Sequence, residues 1–242
     1  MKTKQFSIII IVLIVLIVCY LVSNEAHRMR SMREEYDFKD FMKENYIVKD
    51  DFLNESEFKE LQNKITTVPL DENPLSYGFN NSNGKVFCFS VFDIGEKLNV
   101  FEMEFLEPLI QSILNPNANY FIFNILEITP LAIKDKKWFS SPLSVHMHYD
   151  NTIRDHVDLN SDKDFLPVCV NVFYLRCPKK TKNGRLVLND FYNWRNISKI
   201  DTKENRMITF KGNLYHGVET MYNMDENDTT KRLSIVLEQY LV

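Results

Sequence analysis

Cysteine is scarce in this chain. The 242 residues include only Cys19, Cys88, Cys169 and Cys177, and no two of them show Cys-x-x-Cys spacing. Cys19 lies in an apolar N-terminal run, which leaves an odd number of cysteines for the rest of the chain. The sequence therefore argues against a disulfide framework and against a cysteine-based metal or redox site. All four cysteines are predicted to be buried as small apolar residues.

An excess of positive charge is also absent. The chain has 29 Lys and Arg against 33 Asp and Glu, a net charge of -4, which does not indicate a nucleic-acid partner. It has no His-Glu-x-x-His motif, which argues against a zinc hydrolase, and no internal repeat. Its composition, 45% hydrophobic and 13% aromatic, is sufficient for a packed core, and its length suits one domain with an appendage.

A long uncharged run stands near the N-terminus. Residues 6–22 are apolar and follow Lys2 and Lys4, so they predict a transmembrane helix that anchors the chain, after a short tail at residues 1–5. A cleaved signal peptide is the alternative, although no small-x-small cleavage site follows the run. Charged residues 23–46 are predicted to form a stalk. Basic residues are nearly balanced across the run, and the short tail favours a lumenal or extracytosolic domain.

The globular pattern extends over residues 47–242. Helices are predicted at residues 51–61 and 101–114, the second with a break at Pro108. Polar residues 151–165 are predicted to form a lid loop. Segments with strand character follow one another at short intervals, at residues 85–92, 120–128, 143–149, 167–175, 184–188, 206–210 and 233–241. This pattern predicts an α+β, mainly β, domain built as a sandwich or barrel.

Two histidines and one aspartate form a pattern that suits iron. In the sequence His148-x-Asp150 a strand would point both side chains to one face, and His216 lies on a second segment with strand character. Two imidazoles and one carboxylate on one face of Fe(II) leave three positions open for a co-substrate and oxygen. Arg232 adds a planar cation that suits bidentate binding of a carboxylate. The set predicts an iron site with an organic-acid co-substrate.

Other histidines leave alternatives open. His146 and His156 could replace His148 as a ligand, and His156 also has an aspartate two residues later, Asp158. His148 is preferred because it alone combines an aspartate partner with a strand pattern. Tyr149, between His148 and Asp150, is expected to point to the opposite face of its strand and to pack there.

The C-terminal half of the chain resembles a known family. Its segments His148-Tyr149-Asp150, Asn183–Leu188, Asn205–Phe210, Tyr215–Val218 and Arg232–Ser234 are similar, in this order, to those of Fe(II)/2-oxoglutarate-dependent dioxygenases of the prolyl-4-hydroxylase-like branch. The resemblance covers about residues 118–242 and implies a double-stranded β-helix core, jelly-roll or cupin-like, with supporting N-terminal helices. Asn183-Gly184 departs from the usual double glycine.

The resemblance also implies an activity. His148, Asp150 and His216 would bind Fe(II), Arg232 would pair with the distal carboxylate of 2-oxoglutarate, and Ser234 would hydrogen-bond to it. The implied reaction is hydroxylation of a substrate C–H, such as that of a prolyl or lysyl side chain, with release of succinate and CO2, and ascorbate is an optional cofactor. The substrate would be a protein, a peptide or a small molecule. The alternative is a non-enzymatic, membrane-tethered β-domain used for binding, and the oligomeric state is left open.

Overall fold

The computed structural model describes residues 13–18, 20, 44–72, 82–135, 142–155, 165–190, 195–225 and 227–242. In its globular part the α-helices are α1 (Glu55–Ile65), α2 (Ile94–Val100) and α3 (Glu107–Ile113). Short 3-10 helices lie at Glu104–Leu106, Ile133–Asp135 and Thr152–Asp155. The strands are β1 (Tyr46–Lys49), β2 (Asp71–Glu72), β3 (Ser82–Ser90), β4 (Tyr120–Ile128), β5 (Leu131–Ala132), β6 (Leu143–His148), β7 (Cys169–Arg176), β8 (Thr181–Lys182), β9 (Leu186–Asp190), β10 (Arg195–Ile200), β11 (Arg206–Lys211), β12 (Tyr215–Glu219), β13 (Tyr222–Asn223) and β14 (Arg232–Tyr240).

Two antiparallel sheets form the body of the domain. The larger sheet has the strand order β1-β11-β7-β14-β4-β3-β2, and the smaller has the order β10-β9-β12-β6. A small three-stranded sheet, β5-β13-β8, lies beside them. Side chains from both main sheets share one apolar cluster, for example Leu126 and Val172 from the larger sheet with Leu188 and Val218 from the smaller. The architecture is therefore mainly β, with two facing sheets as in a jelly roll.

The larger sheet is buried on both faces. Leu126 and Ile128 of β4 face the smaller sheet, whereas Phe123 and Ile125 of the same strand join a second cluster with the helices. Strand side chains alternate between faces, so burial of both faces requires apolar residues at nearly every position. This explains why β4 and β14 are continuous apolar runs rather than alternating ones.

Helix α1 packs on the outer face of the larger sheet. It begins at a capping box, in which the backbone N of Glu57 donates to Asn54 Oδ1 (3.0 Å) and the backbone N of Asn54 donates to Glu57 Oε2 (3.3 Å). Phe58 and Ile65 lie on its buried face, and the Phe58 ring meets the edge of Phe173 in β7, with 6.1 Å between centroids. The cap explains why the helix begins later than the predicted residues 51–61.

The predicted helix at residues 101–114 is shorter in the structure. Residues Glu104–Leu106 form a 3-10 helix, and α3 follows with Pro108 in its first turn. Proline lacks an N–H and fits the first turn, where that donor has no intrahelical partner. Pro108 therefore begins a helix instead of breaking one. Helix α2 was not predicted, and neither were the strands β1, β2, β5, β8, β10 and β13.

The predicted anchor falls mostly on residues that are not described. Of residues 6–22, the structure describes only 13–18 and 20, which are helical. Residues 21–43, which cover the end of the predicted anchor and most of the predicted stalk, lie outside the described part. Among the described residues, no helix is both long and apolar enough to cross a membrane. The anchor stays a prediction. Strand β1 begins at Tyr46, the last residue of the predicted stalk.

Candidate functional site

A β-bulge in β6 determines which histidine faces the interior of the sandwich. His148 pairs with His216 of β12, and Val145 pairs with Val218. Between these two pairs β6 advances by three residues and β12 by two, so β6 contains one extra residue. A bulge of this kind redirects the side chains that follow it. His148 is consequently turned towards His216, while His146 is exposed to solvent.

Gly217 makes this bulge possible. A Cβ atom on Gly217 would lie 2.8 Å from the carbonyl oxygen of Val145 and 2.9 Å from Met147 Sδ. Distances under 3 Å between such atoms force the structure to move, so the residue after His216 must lack a side chain for the two strands to approach here.

Three potential metal ligands converge at this point. Nε2 of His148 lies 3.3 Å from Asp150 Oδ1, and Nε2 of His216 lies 3.4 Å from Asp150 Oδ2. The two imidazole rings are 4.4 Å apart between centroids, and one ligand atom from each of the three residues lies within 4.8 Å of the others. Asp150 lies just beyond the end of β6, so its side chain reaches the histidines from a loop and not from the predicted strand.

Backbone carbonyls orient both rings. His148 Nδ1 is 2.7 Å from the carbonyl oxygen of His146, and His216 Nδ1 is 3.1 Å from that of Leu214. A carbonyl oxygen only accepts, so each Nδ1 carries a proton. Each Nε2 then faces Asp150, to which it donates when protonated, and its lone pair is available to a metal when it is not. This second-sphere arrangement is typical of metal-binding histidines.

Electrostatic coupling links the members of the cluster. Burial tends to raise the pKa of Asp150, but the charges and hydrogen bonds of His216 and His148 outweigh it and hold that pKa well below its ordinary value. Burial tends to lower the pKa of His148, yet the hydrogen bond and charge of Asp150 raise it overall. The carboxylate is thus ionised at neutral pH, as metal binding requires.

Arg232 is a buried cation without a carboxylate partner in the described residues. Its side chain is 1% exposed. Its Nη1 donates to the carbonyl oxygen of Gly184 (3.0 Å), its guanidinium carbon lies 5.9 Å from the centre of the Tyr174 ring, and its Nε makes no hydrogen bond to any residue that the structure describes. Burial lowers the pKa of the guanidinium. Such an arrangement suits an anionic ligand, because an unpaired buried charge is costly.

Ser234 shares the inner face of β14 with Arg232. The side chain is 2% exposed, and its Oγ lies 3.4 Å from the carbonyl oxygen of Leu126, at the long end of the hydrogen-bond range. Asn124 on the neighbouring strand also faces inwards and is buried, and its Oδ1 receives no hydrogen bond from the described residues. The interior therefore contains polar atoms beside Arg232 that can serve a ligand.

Glu238 is the interior residue that sequence reasoning missed. It lies on the same face of β14 as Arg232 and is 5% exposed. Thr152 Oγ1 donates to its Oε2 (2.5 Å), and the Tyr240 hydroxyl donates to the same oxygen. Burial first, and then the charge of Asp150, raise the pKa of Glu238 to about 8. The signal was available in the sequence, because period-two alternation puts an acid six residues after Arg232 on the same face.

The other predicted residues divide into two groups. Tyr149 packs against Tyr215, with 4.9 Å between ring centroids, in keeping with the packing role predicted for it. His146 does not belong to the cluster of His148, Asp150 and His216. The alternative pair His156 and Asp158 lies outside the described residues, as do residues 156–164 of the predicted lid, whose first residues form the 3-10 helix Thr152–Asp155.

The cysteines make no disulfide among the described residues. Cys169 is buried, while Cys88 and Cys177 are half-buried, and all three are free thiols. Burial raises the pKa of each thiol to about 11, so they remain protonated and weakly nucleophilic at neutral pH. Cys19 lies outside the described residues.

Comparison with known proteins identifies the fold. No protein-family model matches the chain, and no curated protein matches it. Among solved structures, IDO from Bacillus thuringiensis is similar with a TM-score of 0.50 and 12% identity, covering 85% of this chain and 98% of that one. An oxidoreductase of the 2OG-Fe(II) oxygenase family from Burkholderia pseudomallei has a TM-score of 0.50 and 12% identity, covering 90% of each chain. The predicted resemblance to 2-oxoglutarate and Fe(II)-dependent oxygenases is confirmed at the level of the fold.

Proposed function

We propose that this chain is an Fe(II)- and 2-oxoglutarate-dependent dioxygenase that hydroxylates a substrate C–H. The observation that carries the proposal is the convergence of His148, Asp150 and His216 in a fold that also buries Arg232, a cation with no carboxylate partner in the described part of the chain. The cluster alone would suit several metals. Together with a buried cation, it suits a metal and an organic diacid bound side by side.

The donor set fits ferrous iron. Two imidazoles and one carboxylate form the facial triad of non-haem Fe(II) oxygenases. The two oxygens of Asp150 lie 3.3 and 3.4 Å from the two histidine Nε2 atoms, so the three ligands face one point at which a cation can bind. The carbonyl groups of His146 and Leu214 fix the rings with Nε2 towards that position. His148, Asp150 and His216 would hold the metal.

Arg232 and Ser234 would hold the distal carboxylate of 2-oxoglutarate. The planar guanidinium can donate two parallel hydrogen bonds to one carboxylate, and burial strengthens them because water does not compete. Gly184 and Tyr174 hold the guanidinium in place from the side, which leaves Nε available. The role of this part of the site is to orient the co-substrate.

Bound iron, with 2-oxoglutarate and dioxygen, supplies the oxidising power for hydroxylation, and succinate and CO2 are released. The chain itself contributes position and shielding. Its apolar core, from β4 and β7 on one side to β9 and β12 on the other, excludes water from the interior. The fixed histidine rings and Arg232 place the bound groups, so little reorganisation is needed during the reaction.

The finer parts of the proposal concern substrate and location. We infer a protein, peptide or small-molecule substrate, with prolyl and lysyl side chains as the first classes to test, because the sequence resembles the prolyl-4-hydroxylase-like branch. Ascorbate is included in assays as an optional reductant. Residues 6–22 are proposed to anchor a lumenal or extracytosolic domain on a stalk of residues 23–46. Carbonate extraction and protease protection of membranes test this arrangement.

Anaerobic spectroscopy tests the proposed site. Fe(II) and 2-oxoglutarate added to the full-length chain should produce the weak visible charge-transfer band of the chelated co-substrate. The band should disappear in His148→Ala, weaken in Arg232→Ala and persist in the matched control His146→Ala, whose side chain is exposed. A folded parent chain without the band would contradict the proposal and favour a non-enzymatic binding domain.

A further inference from the structure

A second ionisable residue faces the interior of the sandwich. Strand alternation puts Arg232, Ser234 and Glu238 on one face of β14, and the regular pairing of β14 with β4 keeps that alternation in phase. Six residues of strand separate Arg232 from Glu238 by about 20 Å along the chain. The interior therefore has a cation near one end of β14 and an acid near the other.

Two hydroxyl groups hold the Glu238 carboxyl group in place. Both the Thr152 hydroxyl and the Tyr240 hydroxyl donate to Oε2, and Oε1 receives no hydrogen bond from the described residues. No Lys, Arg or His nitrogen within the described part of the chain lies within 4.0 Å of this carboxyl group. Two donors thus fix one oxygen of the carboxyl group, and the other oxygen is available to a ligand.

Glu238 lies beside the proposed metal site. Thr152, its hydrogen-bond donor, follows Asp150 by two residues and begins the 3-10 helix Thr152–Asp155. The charge of Asp150 also acts on Glu238, since it contributes to the raised pKa of that group. Glu238 is thus linked through Thr152 to the segment that follows Asp150, and it lies six residues beyond Arg232 along β14.

The two ionisable groups suit different partners. Arg232 matches the anionic co-substrate, so Glu238 is left for the other molecule that enters the site. We propose that Glu238 is a specificity residue that binds the cationic group of the substrate, a primary ammonium or a guanidinium, as in lysyl or arginyl side chains. This inference rests on the proposed oxygenase function and narrows its substrate class from prolyl or lysyl side chains to basic ones.

Matched probes test the charge preference. Nα-acetyl-L-lysine amide and Nα-acetyl-L-arginine amide are compared with their neutral counterparts, Nα-acetyl-L-norleucine amide and Nα-acetyl-L-citrulline amide. Nα-acetyl-L-proline amide represents the prolyl class. Each probe is titrated calorimetrically into the anaerobic full-length chain with Fe(II) and 2-oxoglutarate. At least one basic probe should bind about 10- to 100-fold more tightly than its neutral counterpart, the range that a charged hydrogen bond contributes.

Glu238→Gln cannot ionise, but it keeps the size of the side chain and an acceptor oxygen for Thr152 and Tyr240. It should remove most of the preference for the basic probe and leave the affinity for the neutral probe unchanged. Glu127→Gln is the matched control, because Glu127 lies on the opposite face of the larger sheet, paired with Arg176 and Lys231. It should keep the full preference. Glu238→Asp retains the charge and should keep a reduced preference.

The outcomes separate the two proposals. A missing charge-transfer band in the parent chain would refute the oxygenase function and this inference with it. Three results with a normal band would refute the role of Glu238 alone. In the first, no basic probe binds. In the second, the neutral probes bind as tightly as the basic ones, and in the third, the proline probe binds most tightly. An unchanged preference in Glu238→Gln would also refute that role. If neither Glu238 variant folds, Glu238 is a structural residue and the inference is wrong.

Discussion

His148 and His216 lie directly opposite each other in adjacent antiparallel strands, with their ring centroids 4.4 Å apart. The pairing of β6 and β12 sets their spacing, and the carboxylate of Asp150 contacts both rings. The proposed metal site is therefore part of the hydrogen-bonded framework of the smaller sheet. A change in strand register would remove the site even if all three ligands were kept.

Loss of the carboxylate should abolish metal binding. Asp150→Asn keeps the shape of the side chain but removes the charge that couples it to the histidines. Fe(II) affinity is expected to fall by at least about 100-fold. Changing a residue that only supports a ligand usually costs about 10- to 100-fold in metal affinity, and loss of a ligand should cost more. Anaerobic titration with Fe(II) measures it, and His146→Ala should bind as the parent does. Equal affinity in Asp150→Asn and the parent chain would show that the metal binds elsewhere.

Arg232 should stabilise the protein only when an anion is bound. In Arg232→Met the unpaired buried charge is gone, so the free energy of unfolding without 2-oxoglutarate is expected to be unchanged or higher, by up to about 2 kcal/mol. With metal present, 2-oxoglutarate at a hundredfold excess over its dissociation constant should stabilise the parent by about 2.7 kcal/mol and the variant hardly at all. Urea unfolding measures both quantities.

Arg185→Met is the control for this experiment. Arg185 is partly exposed and pairs with Glu219, outside the proposed co-substrate site. Stabilisation by 2-oxoglutarate should persist in this variant. A similar response to 2-oxoglutarate in Arg232→Met would mean that another cation binds the co-substrate.

Glu238 should make the metal-free protein less stable as the pH rises. In the folded state its pKa is raised to about 8 from an ordinary value of 4.5, so the folded chain holds a proton that the unfolded chain has lost. The stabilising contribution is complete below the unfolded pKa and is lost as the pH rises towards about 8. Residue 238 cannot titrate in Glu238→Gln, so the variant does not lose this contribution. The free energy of unfolding of the variant minus that of the parent should therefore increase between about pH 5 and about pH 8. A constant difference across this range in urea unfolding would contradict the prediction.

Gly217 should be intolerant of a side chain. In Gly217→Ala the new Cβ would meet the Val145 carbonyl oxygen at 2.8 Å, so β12 must move away from the bulge that positions His148. A loss of about 1–3 kcal/mol in unfolding free energy is expected from such overpacking, together with weaker Fe(II) binding. Gly95→Ala is the control, since no atom lies within 4 Å of its added Cβ, and it should fold at least as stably as the parent. Normal Fe(II) affinity in Gly217→Ala would show that the bulge does not position His148.

The sequence predicted most of the secondary structure that surrounds the site. Apolar runs identified β4, β7 and β14, because strands buried on both faces need apolar residues throughout. Short or polar elements were missed, such as β1 and β10, because tertiary pairing rather than local composition makes them strands. Pro108 was read as a helix break because the sequence does not show where a first turn begins.

The sequence by itself determined which residue types are available for the site: a His-x-Asp pair, a distant histidine and a following Arg-x-Ser. The tertiary structure decided how they meet. The bulge opposite Gly217 turns His148 inwards and leaves His146 in solvent, and the pairing of β14 brings Arg232 and Glu238 onto one interior face. These outcomes depend on the register between strands that are far apart in the chain. Local pattern does not encode that register, which is set by the packing of the two sheets as a whole.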